Sequence, residues 1–264
     1  MSPARNLGST GASDGPADSA GQPWAGREFE TNAHADDDGS APAELIAAIM
    51  AFRSREAGEE SVIDAIRDAR LLIPLIAELG EAGVGEHGHV IDKSQELSII
   101  TVAGPDGRNV LPVFSSAAAM AMWNPAARPV PSDGLRVALA AAQENTDVVV
   151  LDPTTETEFV IRRPALWAIA QSKPWTPSYA SSTVAAAFQA SIASELAVIG
   201  VHLVAGDPDA RLAGPELVVR LELLQGLTQA ELDAVLARLA SRWAADDAIA
   251  TGVDSLTVQL IASV

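Results

Sequence analysis

The sequence predicts an α+β protein. Its N-terminal domain is expected to have a mixed sheet with two β-hairpins and packed helices, followed by a smaller α-β-β-α-β C-terminal domain. Two observations predict this class. Short β-branched and aliphatic runs bounded by turn residues alternate with segments of helical periodicity. A stretch with two prolines in seven residues, 173–179, separates two such series, and no repeat of fixed period is present.

The chain divides into four predicted segments. Residues 1–40 are rich in Gly, Ser, Ala and Asp and have no apolar periodicity, so we expect a disordered acidic tail. Residues 41–172 are expected to form the N-terminal domain, 173–182 a linker, and 183–264 the C-terminal domain. The 264 residues are enough to bury a sizeable core in one or two domains.

The N-terminal domain begins with two predicted helices. Apolar residues recur at helical spacing over 43–53 after Pro42, which suits a helix start, and the same pattern returns over 59–68. The apolar, β-branched run 70–78 then predicts a strand. Because Pro74 has no N–H, its position in that strand must face an edge, a bulge or solvent.

Two hairpins are predicted in this domain. Strands 96–102 and 110–114 flank the turn sequence Gly-Pro-Asp-Gly, and strands 147–151 and 159–162 flank a polar turn. Each pair is close enough in sequence to form an antiparallel unit.

Capping residues mark the helices that follow these strands. The predicted helix starts are Ser115 or Ser116, Ser132 or Asp133, and Pro164. The first of these helices ends at Trp123. In the second, which ends near residue 145, Leu135 and Leu139 are expected to face the core.

The C-terminal domain is predicted from a second series of patterns. Its first helix covers 183–194, with apolar residues at i, i+4 and i+8. Thr228 is followed three residues later by Glu231, which predicts a capping box at the start of a long helix that runs to about residue 245. The predicted strands are 196–204, 216–224 and 256–261.

Five segments of the first region, in this order and spacing, resemble a known family. They are RLLIPLI (70–76), ELSIITVAGPDGRNVLPVFSS (96–116), WNPAARPVP (123–131), VVVLDP (148–153) and RRPALWAIA (162–170). The family is the SseB family, named for enhanced serine sensitivity, and the resemblance to its N-terminal domain covers about 59–180. The C-terminal segment is similar to a smaller domain found in part of that family. The resemblance implies an α+β regulatory or interaction module, and it brings no catalytic residue set to this chain.

Composition excludes several classes of chemistry. The chain has no cysteine, so disulfides, thiolate metal sites and cysteine nucleophiles are ruled out. The 35 acidic residues against 17 basic ones give a net charge of −18, which counts against nucleic acid and anionic membranes as partners. No apolar run has the length of a membrane span or follows the start as a signal peptide would, so we expect a cytoplasmic protein.

Three patterns resemble chemical sites, and each has a simpler interpretation. Glu86, His87 and His89 offer metal ligands, but no further ligand is placed to complete a site, and a solvated loop is favoured. Ser115 and Ser116 lie at a strand–helix junction without a Gly-x-Ser-x-Gly motif, and helix capping explains them. The glycines at 83, 85 and 88 match a phosphate-loop spacing, but neighbouring glutamates oppose phosphate binding. We therefore predict no catalytic residues, metal or cofactor.

Trp123, Arg128 and Trp175 are the candidate partner-binding residues. Trp and Arg are favoured anchors in protein interfaces, and these three lie in or next to proline-rich extended chain. The alternative is that both tryptophans seal the edge of the core under the loops.

The sequence favours a non-catalytic module that binds a protein partner or regulates a metabolic system. The alternative is a small-metabolite sensor, with an amino acid as one possible ligand between the two domains. An enzyme that uses scattered Asp, Ser and Arg residues is the third hypothesis. The identity of the partner or ligand and the oligomeric state are not encoded in any motif.

Overall fold

Two successive series of helices and strands make up the fold. A computed structural model describes residues 37–79 and 95–262, and the α+β prediction is confirmed over them. The helices are α1 (Ala43–Arg53), α2 (Glu59–Asp68), α3 (Ala117–Trp123), α4 (Gly134–Gln143), α5 (Arg163–Ala170), a 3₁₀ helix (Ser178–Ala180), α6 (Ser182–Ile192), α7 (Gln229–Ala245) and α8 (Asp247–Gly252). The strands are β1 (Leu71–Leu79), β2 (Gln95–Ile99), β3 (Val102–Ala103), β4 (Asn109–Val113), β5 (Arg128–Ser132), β6 (Val148–Leu151), β7 (Phe159–Arg162), β8 (Val198–Ala205), β9 (Leu217–Leu223) and β10 (Leu256–Ala262).

The first series, which comprises α1 to α5 and β1 to β7, contains two sheets. One has the strand order β3-β4-β6-β7, with β4 and β6 parallel and the outer pairs antiparallel. The other has the order β2-β1-β5 and is antiparallel. A bridge between Leu72 and Phe114 connects β1 to the end of β4. The parallel pair places the carboxyl ends of β4 and β6 side by side.

Of the two predicted hairpins, the second forms as predicted and the first is much shorter. The predicted strand 96–102 is interrupted at Ile100, whose N–H donates to the carbonyl of Pro74 in β1. The part before the break pairs with β1, and only β3 pairs with β4 across the turn. A continuous apolar run predicts a strand, but it does not show which neighbour the strand joins.

The first apolar core lies between the four-stranded sheet and helices α1, α2, α4 and α5. Its fully buried side chains include Leu45, Ile63, Leu111, Phe159 and Ile161. Phe52 of α1 packs edge-on against Phe159 with the ring centroids 5.5 Å apart. Helices α4 and α5 pack against one another and both contribute buried residues to this core.

The orientation predicted for α4 is wrong. Leu135 and Leu139 are 41% and 50% exposed, whereas small residues of the same helix are buried. A Cβ atom added to Gly134 would lie 2.6 Å from the carbonyl oxygen of Ile66, so α4 approaches α2 too closely for larger side chains at its start. Close packing selects the Gly and Ala face of α4 and leaves its leucines outside.

The second series forms the sheet β10-β9-β8, with β9 and β10 parallel and β8 antiparallel to β9. Helices α6, α7 and α8 cover one face and enclose a second apolar core that contains Phe188, Leu239 and Trp243. The capping box at Thr228 and Glu231 is confirmed. The long helix predicted to run to about residue 245 is confirmed as α7, and Asp246 caps a further short helix, α8, that was not predicted.

Described residues from Asp38 onward belong to one compact unit. Within it the two cores remain distinct, while hydrogen bonds and ion pairs link the two series. The domain boundaries at 173–182 stay a prediction, and the predicted acidic tail lies outside the described residues except at its end. No helix in the described part of the chain is both long and apolar enough to cross a membrane.

Candidate functional site

Trp123 lies at the end of α3 and is half-buried. Its ring packs against Phe114 with the centroids 5.3 Å apart and the planes tilted by 42°. Leu72 and Met120 complete this small apolar cluster. The neighbouring Met122 side chain is 82% exposed, so the end of α3 also presents apolar surface.

Arg128 and Trp175 have different surroundings. Arg128 begins β5, is exposed, and forms no ion pair with the part of the chain that the structure describes. Trp175 is half-buried and packs against the first apolar core, whereas Trp123 packs in the separate cluster around Phe114. The two tryptophans therefore contact different clusters. Their role in binding stays a prediction.

A second exposed apolar surface lies between α4 and α5, and we call it the α4–α5 groove. Its α4 wall is Leu135, Leu139 and Ala142, all exposed and spaced at i, i+4 and i+7. Its α5 wall is Trp167, which is 44% exposed, and Ala170. Residues at this spacing share one side of a helix, so the α4 wall is a continuous stripe.

Two cavities lie along the α4–α5 groove. One, of about 430 Å³, lies where the start of α4 meets α2 and the end of α5. It is bounded by Leu135 of α4, by Asp64, Arg67 and Asp68 of α2, and by Ile169 and residues 172–174. The other, of about 360 Å³, is bounded by Leu139 and Trp167. Because Leu135 and Leu139 are one helical turn apart, the cavities follow one another along α4.

Arg163 fixes the orientation of Trp167. Its guanidinium carbon lies 5.3 Å from the centroid of the Trp167 ring, within the range of a cation–π contact. One guanidinium nitrogen donates to the carbonyl of Val253 at 3.4 Å, which ties α5 to the second series. The indole is thereby held at the surface.

A buried ionic cluster joins the two series, and we call Arg108, Arg162, Asp207 and Asp254 the junction cluster. Arg162 donates to Asp207 at 2.6 Å and to Asp254 at 3.2 Å. Arg108 donates to both oxygens of Asp254 at 2.9 and 3.0 Å. The Arg162, Asp207 and Asp254 side chains are 6%, 2% and 1% exposed, so solvent screens their charges little.

Asp207 also organises the loop that follows β8. Its carboxylate accepts backbone N–H bonds from Arg211, Leu212 and Ala213 at 3.2, 2.8 and 3.4 Å. Leu212 has a φ of 56°, which an L-residue adopts only where surrounding contacts enforce it. The carbonyl of Ala210 in turn accepts from the N–H of Val160 on the outer strand β7. This loop therefore covers part of the edge of the first sheet.

Three further side chains at the same junction, those of Glu59, Glu216 and Tyr179, have raised pKa values. The Tyr179 hydroxyl donates to Glu59 at 3.0 Å. Burial raises the pKa of the Glu59 carboxyl to about 7, and nearby Glu216 adds to the effect. Burial also raises the pKa of Glu216, although it accepts backbone N–H bonds from Ser178 and Asp254. Burial and the Glu59 carboxylate raise the pKa of Tyr179.

A cavity of about 500 Å³ opens beside the junction cluster. It is lined by Asp106 and Arg108 after the Gly-Pro-Asp-Gly turn, by loop residues 212–215, and by Asp254 and Ser255. Arg108 already pairs with Asp106 and Asp254, and the Ser255 hydroxyl donates to Asp254 at 3.2 Å. The charged groups that line the cavity therefore satisfy one another.

Helix capping is confirmed for Ser116 but not for Ser115, which bonds Asp152 instead. The Ser116 hydroxyl accepts the N–H of Ala119 and caps α3. Ser115 is 2% exposed, and its N–H and hydroxyl donate to Asp152 at 2.8 and 2.6 Å. Thr157 also donates to Asp152, at 2.8 Å. These bonds tie together the carboxyl ends of the parallel strands β4 and β6.

The predicted loop ligands Glu86, His87 and His89 lie outside the described residues, as do the glycines at 83, 85 and 88. Within residues 37–79 and 95–262 no group of three or more His, Asp and Glu side chains could hold a metal ion. His202 lies in β8 with its side chain 59% exposed, 3.8 Å from Glu222.

Sequence reasoning missed both the junction cluster and the α4–α5 groove. The junction partners are 45 and 92 residues apart from Arg162, so no local pattern connects them. The only available signal was an arginine at the end of an apolar strand, where a buried charge requires a partner. For the groove, the i, i+4 spacing of Leu135 and Leu139 was visible but was assigned to the core.

Comparison with known proteins gives one family match. The family model of the SseB protein N-terminal domain matches residues 45–168, from Leu45 in α1 to Ala168 in α5, and therefore includes most of the α4–α5 groove. No curated protein and no solved structure matches the chain.

Proposed function

The chain carries an SseB protein N-terminal domain over residues 45–168, and from this premise we propose that it is a non-catalytic cytoplasmic module that binds a protein partner. The observation that carries the proposal is the α4–α5 groove. Leu135, Leu139 and Trp167 are between 41% and 50% exposed on adjacent helices, and Leu139 and Trp167 bound the same cavity. Such surfaces on soluble proteins mark interaction sites.

The composition of the groove also supports protein binding. Trp and Arg are enriched among the residues that dominate protein interfaces, and here Arg163 holds Trp167 in one orientation. A side chain that is already ordered loses less conformational entropy on binding. The surface near Trp123 and Arg128, with the exposed Met122, is the other candidate face.

Site-specific photo-cross-linking tests this proposal. A photo-reactive amino acid is placed at Leu139 in the groove, at Met122 beside Trp123, and at Leu196, which is 93% exposed and lies in the second series as the matched control. In lysate of the source cells, we expect position 139 to capture a protein that mass spectrometry identifies and that position 196 does not capture. Capture at 122 alone would move the interface to the Trp123 face, and equal capture at all three positions would refute a specific surface.

The cavity at the junction cluster supports the second candidate function, a small-metabolite sensor. Its lining offers Arg108 as a cation and Asp106 as an anion, which match the two charges of an amino acid. A ligand there has to replace part of the pairing between these groups.

Thermal unfolding against a panel of amino acids tests the sensor function. A ligand at a hundred times its Kd stabilises the folded state by about 2.7 kcal/mol. The expected result is a rise in Tm with one ligand that is lost in Asp106→Asn, whose side chain lies at the cavity. A panel that leaves the Tm unchanged would count against this function.

A further inference from the structure

The α4–α5 groove presents apolar side chains at helical spacing. Its exposed stripe follows i, i+4 and i+7 along α4, and Leu135 and Leu139 each bound one of the two cavities. A partner helix that lies along the groove would project side chains from successive turns at the same spacing. Apolar anchors at i, i+3 or i+4, and i+7 are the pattern of helices bound in grooves.

The charged groups that line the cavities divide into tethered cations and available carboxylates. Arg67 pairs with Asp64 at 3.3 Å and donates to the carbonyl of Ala168 at 3.0 Å. Arg163 lies over Trp167 and donates inward to Val253, and the ammonium of Lys173 donates to Gln171 at 2.7 Å. Each of these cations is held by the chain's own groups.

Two carboxylates lack such contacts. Asp68 lines the first cavity and Asp147 the second, and both are exposed. Neither forms an ion pair within residues 37–79 and 95–262. One negatively charged carboxylate is therefore available at each cavity to pair with a cation of a partner.

The net charge of the whole chain also favours a basic partner. A net charge of −18 attracts a basic partner over a distance and repels an acidic one. The lining of the two cavities carries three carboxylates and three cations, so a partner is selected by the free carboxylates and by the surrounding field.

We propose that the α4–α5 groove binds a basic amphipathic helix of a partner protein, with its apolar side chains on Leu135, Leu139 and Trp167 and its Lys or Arg side chains beside Asp68 and Asp147. This inference rests on the proposed protein-binding function. The helix lies along α4 and buries the stripe that the fold leaves exposed.

A designed peptide tests the inference with the purified full chain. The probe is a fluorescently labelled peptide of about 16 residues, roughly 24 Å of helix, with Leu on one face and Lys on the other. A second peptide keeps every Leu and replaces each Lys by Glu. Fluorescence anisotropy is expected to show that the chain binds the Lys peptide at least about tenfold more tightly than the Glu peptide, and that added salt weakens this binding.

Variants of the chain locate the binding. Leu139→Glu is expected to weaken the binding of the Lys peptide at least about tenfold. The double variant Asp68→Asn, Asp147→Asn is expected to reduce the difference in affinity between the Lys and Glu peptides. Leu196→Glu, which adds the same charge outside the groove, is expected to bind as the parent chain does. Circular dichroism and the Tm of each variant show whether it is folded.

Four outcomes would overturn the inference. Binding that Leu139→Glu and Leu196→Glu weaken equally would place the peptide elsewhere. Equal binding of the Lys and Glu peptides would remove the role of the carboxylates. A dimer by sedimentation that becomes a monomer in Leu139→Glu would assign the groove to a second copy of this chain. A cross-linked partner at position 139 with no binding of the Lys peptide would leave the proposed function intact and refute only the basic helix.

Discussion

Arg162 at the end of β7 and Asp207 in the loop after β8 form an ion pair of 2.6 Å with both side chains almost fully buried. The pair links the two series of elements, and Asp254 shares the same guanidinium. Removal of one partner from a buried pair leaves a charge without compensation, which costs far more than the loss of a surface pair.

Arg162→Met is therefore expected to lower the free energy of unfolding by about 3–5 kcal/mol, because it leaves the buried carboxylate of Asp207 without its cation. Urea denaturation at neutral pH measures the change. The control is Arg220→Met, which removes an exposed arginine hydrogen-bonded to Gln259 and should cost less than about 1 kcal/mol.

A double-mutant cycle separates the pair from its surroundings. Asp207→Asn keeps an oxygen that can accept the N–H of Leu212 but removes the charge. In the Arg162→Met background it is expected to cost about 1–3 kcal/mol less than it does alone. If the two changes in the free energy of unfolding are additive, the two side chains do not interact.

The pH dependence of stability is expected to depend on Glu59. Its pKa is raised from 4.5 to about 7 in the folded protein, so between these values the folded state keeps a proton that the unfolded state has lost. The contribution of this group to stability is therefore full below pH about 4.5, declines as pH rises, and is lost above about 7. The total change is at most roughly 3 kcal/mol.

Glu59→Gln removes this titration and keeps an oxygen that can accept the Tyr179 hydroxyl. The stability of the variant relative to the parent chain is expected to rise as pH increases from about 4.5 to 7 and to be constant above that range. Urea denaturation across pH 4 to 9 gives the comparison. Glu60→Gln, at the exposed neighbouring position, is the control, and a constant difference for Glu59→Gln would show that this carboxyl does not titrate in the folded protein.

Asp152 is expected to be essential for the packing of the parallel strands. It is fully buried, has a φ of 46°, and accepts three hydrogen bonds from Ser115 and Thr157. Asp152→Ala leaves these donors without an acceptor and places alanine in a left-handed conformation, so we expect a loss of about 2–4 kcal/mol. Asp152→Asn should cost less, since Asn tolerates this conformation and its amide oxygen can accept.

Thr157→Val is the matched variant for this site, because it removes a single donor and changes neither the charge nor the shape. Its expected cost is about 1 kcal/mol in urea denaturation. A cost for Asp152→Ala no larger than that of Thr157→Val would show that the carboxylate does not hold the two strand ends together.

The helices were predicted well because their starts are set by residues within a few positions of one another in the sequence. The bounds of α1 and α2 agree with the predicted 43–53 and 59–68, since Pro42 and Gly58 set the helix starts within the chain itself. The capping box at Thr228 was predicted for the same reason, since its two partners are three residues apart.

Features that depend on distant contacts were not predicted. The apolar run 96–102 was identified as strand, but its division between two sheets depends on β1 and β4. The face of α4 that turns inward depends on how closely α2 approaches Gly134. The junction cluster requires the positions of both series. The alternative that Trp123 and Trp175 seal the edge of the core gave no indication that they contact separate apolar clusters.

The leucines of the α4–α5 groove are expected to contribute little to stability. Leu139 is 50% exposed, so Leu139→Gln, which keeps a good helix former, should change the free energy of unfolding by less than about 1 kcal/mol. Val137 on the same helix is 1% exposed, and Val137→Ala should cost about 2 kcal/mol because it leaves a cavity in the first core. Urea denaturation of both variants tests whether Leu139 is retained for binding. A cost for Leu139→Gln as large as that for Val137→Ala would return Leu139 to the core and remove the stripe on which the groove depends.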